Sequence, residues 1–214
     1  MDRAAIEGAL RELAAELGKR EVTARLYLVG GAVMLLAFDS RFSTDDVDGS
    51  VYPPEEVLAV AREIAQRRGL PADWLNDSAK GFIPVFKEPD WRPLFKIDNV
   101  EIVAADERSM LAMKLRASRG RRDQADIEFL LERCGISTEA DAVELYEQFF
   151  PEDPLTPRCR PILRGAVAKL WEKRADRQSP GARSAQRRRR DGRFASNENP
   201  EADVGLGGTG ESLV

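Results

Sequence analysis

Two short stretches hold the residue types that could do chemistry: Leu28-Val29-Gly30-Gly31-Ala32 and Ser43-Thr44-Asp45-Asp46-Val47-Asp48. The first is a glycine pair at the expected junction of a strand and a helix. Backbone N–H groups there can approach an anion with no side chain in the way. The second sets carboxylates at i and i+2 on the next expected strand. Side chains alternate between the faces of an extended chain, so Asp46 and Asp48 point the same way, and Thr44 with them. Two carboxylates ~5 Å apart repel by roughly 3 kcal/mol at an effective dielectric of ~20. A divalent cation removes that cost, and Mg²⁺ (or Mn²⁺) with a nucleoside triphosphate is the usual occupant of such a pair. Singly, Asp-x-Asp also reads as a solvated turn and Gly-Gly as a tight turn. The order of parts is more specific: strand, Gly-Gly, a helix of about two turns, a loop, then Asp-x-Asp on a second strand. It points to a metal and nucleotide site.

The elements that must position these residues can be read from periodicity and punctuation. Residues 3–17 carry Ile6, Leu10, Leu13, Ala14 and Leu17 at helical spacing, with Gly18 as a stop. Residues 26–29 form the strand entering the glycine turn, and the all-apolar run 32–38 suits a buried helix. Residues 46–51 form the second strand. Pro53 and Pro54 then open a helix whose first turn holds Glu55 and Glu56 and which ends before Gly69. The segment 70–84, with Trp74, Asn76, Asp77 and Lys80, reads either as a packed connecting loop or as the wall or lid of a substrate site. Residues 94–97 and 100–103 read as strands with Asp98-Asn99 as a turn between them. Helices are expected over 109–118, 122–132 and 138–149, with Ser137 or Thr138 as a cap for the last, and a final helix begins after Pro157.

Composition narrows the chemistry. The 214-residue chain has 43% hydrophobic residues and a net charge of −4, so it can bury a core and has no strong overall pull toward nucleic acid or membrane. It contains no histidine, which excludes Ser-His-Asp and Cys-His nucleophiles and histidine-ligated zinc. Cys134 and Cys159 have no metal or redox spacing and read as thiols of a reducing compartment. The first residues form an amphipathic helix and not a signal peptide, and no run is long enough to span a bilayer, so a cytoplasmic protein is expected. Beyond residue 174 the composition turns to Gly, Ser, Pro, Arg, Asn and Glu, the signature of disorder. This tail includes the basic run Arg187 to Arg190, which reads as a solubilising segment or as a charge-based hold on RNA phosphates.

The glycine pair, Thr44-x-Asp46-x-Asp48, the later Leu111-Ala112-Met113-Lys114-Leu115-x-Ala117-x-Arg119 and Arg122-Asp123-x-x-Asp126-Ile127 together resemble the minimal nucleotidyltransferases of the DNA polymerase β superfamily. The likeness is to the AbiEii-like and MenT-like branch, the toxin side of type IV toxin–antitoxin systems, and it covers residues 26–131. It implies an α/β (α+β) fold: a small mixed sheet as nucleotidyltransferase core over residues 1–135, a helical extension over 136–174, and the tail 175–214. It implies Mg²⁺-dependent transfer of a nucleoside monophosphate from an NTP to an acceptor, an RNA such as tRNA or a protein, with an antitoxin protein as a further partner. On this reading Asp46, Asp48 and Lys114 are catalytic. Gly30, Gly31, Thr44, Arg119, Asp123 and Asp126 bind the nucleotide, and Asp46, Asp48 and Asp98 hold metal.

Three points stay open in the residues. Lys114 either faces the cleft or runs its stem along apolar surface to water. Asp123 and Asp126 either orient Lys114 and Arg119 or cap and solvate a helix start. The third carboxylate is Asp98, in Lys96-Ile97-Asp98, or Glu101; these two have opposite parity on a strand, and Asp98 also reads as a turn residue. Without a third acid, the alternative is a weak or inactive nucleotide-binding or partner-binding module on the same scaffold.

Overall fold

The computed structural model describes residues 1–118 and 121–178, and within helix α5 (Arg121–Cys134) the side chains from Asp123 onward. The tail expected over 175–214 lies outside the described residues, except that 175–178 continue the last helix. Residues Met1–Glu172 form one compact unit.

A mixed five-stranded sheet in the order β3-β2-β1-β5-β4 lies at the centre. β1 (Ala24–Leu28) runs antiparallel to β2 (Val47–Tyr52) and parallel to β5 (Val100–Ala104). β4 (Arg92–Ile97) returns on β5 through the Asp98-Asn99 turn, where Asp98 adopts φ 50°, a left-handed conformation that Asp tolerates better than most residues. β3 is only Leu75–Asn76, paired parallel to the start of β2.

The two faces of the sheet differ in chemistry. Leu26, Leu28, Val47, Val51, Val100, Ile102 and Ala104 are buried. They share one face, because Leu26 registers with Val51 and Ile102, and Leu28 with Ala104. Helices α1 (Arg3–Lys19) and α3 (Pro54–Arg68) pack against the sheet and supply Ile6, Leu10, Leu13, Leu17, Val57 and Ile64 to the same core. α3 begins as its prolines and first-turn acids require and stops at Gly69 in a left-handed cap. Trp74 locks β3 to this helix, its indole N–H donating to the Ala61 carbonyl at 2.9 Å.

α2 (Gly30–Leu36) links β1 to the loop before β2, and its last carbonyls, those of Leu35 and Leu36, accept from the Arg3 guanidinium. The chain then builds α4 (Glu107–Ala117), α5, α6 (Glu139–Phe149, capped by the Thr138 hydroxyl) and α7 (Cys159–Gln178). α4 packs on α5 and α6, burying Met110, Leu111, Leu115, Ile127, Leu130 and Tyr146. Among the described residues no helix is long and apolar enough to cross a membrane.

Candidate functional site

The other face of the sheet opens into a cleft of about 430 Å³, a size that accommodates a small organic ligand. The side of the sheet taken by its two acids follows from register. Tyr27 pairs with Ser50 on one side and Val103 on the other, so these three side chains share a face, and alternation along β2 adds Asp48 and then Asp46. Asn76, the register partner of Asp48, donates its amide to Asp46 Oδ2 at 3.3 Å, which sets Asp46 on the same side. Gly30, Gly31, Thr44, Asp46, Asp48, Lys114 and Asp123 all line this one cleft.

The glycine pair is needed for two separate steric reasons. Gly30 has φ +70°, and a Cβ there would sit 2.9 Å from Asp48 Oδ2. A Cβ on Gly31 would fall well inside contact distance of Thr44 Oγ1. The turn therefore lies directly against the acidic strand and the threonine. No side chain caps α2, whose preceding residue is Val29, so its first amides are left for solvent or a ligand. Thr44 is itself pinned: its N–H donates to the Met1 carbonyl at 2.9 Å, and its own carbonyl accepts from the Met1 amine.

On the far wall, Lys114 points into the cleft and not out along the surface. Its Nζ lies 2.8 Å from Asp126 Oδ2 and 3.2 Å from Asp123 Oδ1. Asp126 also receives a bidentate fork from Arg41, Nε to Oδ1 at 2.8 Å and Nη2 to Oδ2 at 2.5 Å. The side chains of Arg41, Lys114, Asp123 and Asp126 are only 19, 12, 9 and 4% exposed. Among the described residues two cations and two carboxylates meet in this sparingly hydrated setting, and planar Arg41 is suited to the two-point contact that Lys114 cannot make. Asp123 and Asp126 thus hold Lys114 in place. The family resemblance sets Arg41 close to a position where some relatives carry an arginine but assigns it no role; its local signal is its place in the loop leading to Thr44.

Asp98 is not brought to this site. It occupies the β4–β5 turn, with its carboxylate against Gly18 at the end of α1. β5 runs parallel to β1, so its start lies at the end of the sheet remote from the glycine turn, on the order of 15 Å away along five residues. Glu101 is at the same remote end, paired with Arg25 at 3.0 Å. On β5 the position on the acids' side of the sheet nearest the glycine turn is Val103, and one alternation further, just past the strand, comes Ala105. The next carboxylate, Asp106, is consumed as the cap of α4, accepting from the N–H groups of Arg108, Ser109 and Asp90 and from the Ser109 hydroxyl. Arg119 lies outside the described residues.

This donor set suits one kind of metal better than another. Mg²⁺ keeps several waters and is commonly held by one or two carboxylates plus substrate phosphates, which Asp46 and Asp48 over an open cleft can provide. Among the described residues no group of three or more acids or thiols is gathered as a closed protein cage for a metal ion. Comparison of the chain with protein-family models, with curated proteins and with solved structures finds no match.

Proposed function

We propose that the protein is an NTP-dependent nucleotidyltransferase, moving a nucleoside monophosphate onto an RNA or protein acceptor. The observation that carries the reading is one cleft shared by the Gly30-Gly31 turn, the carboxylates of Asp46 and Asp48, and a Lys114 held in place by two acids. In the reaction an acceptor oxygen bonds to the α-phosphorus, and the bond from that phosphorus to pyrophosphate breaks. Such transfer asks the protein mainly for alignment and charge neutralisation. The amides of Gly30 and Gly31 receive phosphate oxygens, and Lys114 and Arg41 set positive charge beside the polyphosphate. Asp46 and Asp48 would hold a Mg²⁺ ion that neutralises charge on the phosphates.

The test is Mg²⁺- or Mn²⁺-dependent transfer of label from an α-labelled NTP to RNA or protein. Asp46→Asn and Asp48→Asn abolish it while the variants remain folded by circular dichroism. Asp98→Asn, at the remote end of the sheet, serves as the control and leaves transfer unchanged. A transfer activity that survives both Asp46→Asn and Asp48→Asn refutes the proposal.

A second reading has its own observation. Val103 and Ala105 stand where a third acid would face the other two, which favours a module that binds NTP with weak or no turnover. Under that reading NTP binds with the same dependence on Asp46 and Asp48, and no acceptor is labelled.

A further inference from the structure

Phe82 gives the cleft a second chemistry. The 3₁₀ helix Ser78–Phe82 continues the wall that begins at Asn76, the partner of Asp46. Phe82 lines the same cleft, and α4 adds Met110, Met113 and Ala117 to the lining beside it. The cleft is therefore polar and charged around Asp46, Asp48, Gly30 and Lys114, and aromatic and thioether around Phe82. A single ligand that fills it needs a polyanionic part and a flat apolar part.

Arg116 fastens the segment that carries the ring. Arg116 Cζ lies 5.9 Å from the Phe82 ring centroid, and its Nη1 donates to the Gly81 carbonyl at 2.9 Å. Its Nη2 pairs with Asp153 at 2.7 Å, and the same guanidinium covers the Phe150 ring at 4.5 Å. Arg116 thus ties the 3₁₀ segment to α4 and to the chain after α6.

We propose that Phe82 is the platform on which the nucleobase of the bound nucleotide stacks, with Met113 as the adaptable apolar surface in the same lining. This rests on the nucleotide reading above and adds to it the residue that senses the base. Every nucleobase offers a π-face to an aromatic ring, and methionine adjusts to irregular planar ligands. Arg116 acts through Phe82 and is a positioning residue.

The experiment is calorimetric titration of the full chain in Mn²⁺ with two probes, a nucleoside triphosphate and inorganic tripolyphosphate, which has the charge and lacks the base. In Phe82→Ala the nucleoside triphosphate binds about five- to a hundredfold more weakly, the loss expected for one base–aromatic stack, while tripolyphosphate binding is unchanged. Phe82→Trp retains wild-type affinity for both. Phe82→Leu keeps apolar bulk without a π-face and behaves as the alanine variant, which separates stacking from collapse of the wall. Nucleoside triphosphate binding that is unchanged in Phe82→Ala and Phe82→Leu overturns the platform and leaves the nucleotide site standing. Equal losses for the two probes overturn it as well. Wild-type protein that binds neither probe overturns the nucleotide reading and this inference with it.

Discussion

Asp126→Asn attacks the member of the ion cluster on which the others depend. Asp126 is the shared acceptor of Arg41 and Lys114, with a side chain 4% exposed. Asparagine keeps the shape and removes the charge. Two cations, 19 and 12% exposed, then lose their shared acceptor, and among the described residues Asp123 is the carboxylate left beside Lys114. Removing one partner of a buried pair costs about 3–5 kcal/mol, because the charge left behind stays desolvated. With a urea slope of about 2 kcal/mol per molar, the unfolding midpoint falls by roughly 1.5–2.5 M. Lys114→Met is milder, since Asp126 keeps both bonds from Arg41. The double variant restores the charge balance lost in Asp126→Asn and recovers part of its midpoint, so the two changes are strongly non-additive. Urea titrations of the four proteins, followed by circular dichroism, supply the cycle. A midpoint shift below about 0.5 M for Asp126→Asn, or additive single effects, would refute the account of the cluster.

Gly31→Ala places a methyl against Thr44, whose loop is fastened to Met1, so thermal unfolding shows a loss of about 1–3 kcal/mol. Gly31→Ala combined with Thr44→Ser, which trims the methyl and keeps the hydroxyl, does not recover it, because the close atom is Oγ1. Burial pushes the Cys134 and Cys159 thiols up to about 11, above the usual 9.0. Both stay protonated in the folded state at pH 8 and react with Ellman's reagent far more slowly than in denaturant. Their contribution to stability is fully present below pH 9 and is lost as the pH rises through about 11, which denaturation at pH 8 and 10.5 checks.

Local punctuation made much of the fold legible. Pro53-Pro54 with two first-turn acids and Gly69 bracket α3 because a helix start and stop are set by nearby groups. The Thr138 cap and the Asp98-Asn99 turn are visible for the same reason. Parity carried one residue past a strand end: β2 begins at Val47, and Asp46 just before it keeps the side of Asp48, as its contact with Asn76 shows. Asp98 shows where such reasoning stops. Parity says which face a residue takes, but only the parallel pairing of β1 with β5 says which end of the strand meets the glycine turn. The same limit hid what Arg41 and Phe82 touch. Their partners, Asp126 and Arg116, lie on helices 85 and 34 positions away, and nothing in the local sequence encodes that distance.

The span from Arg41 to Asp126 has a consequence for a chain being made on the ribosome. The glycine turn and both strand acids emerge early, yet the anchor for the two cations arrives 85 residues later. At about 5–20 residues per second that is a delay of roughly 4–17 s. During that interval Arg41 and Lys114 have no Asp126 to pair with, so the ion cluster closes only once α5 has been made.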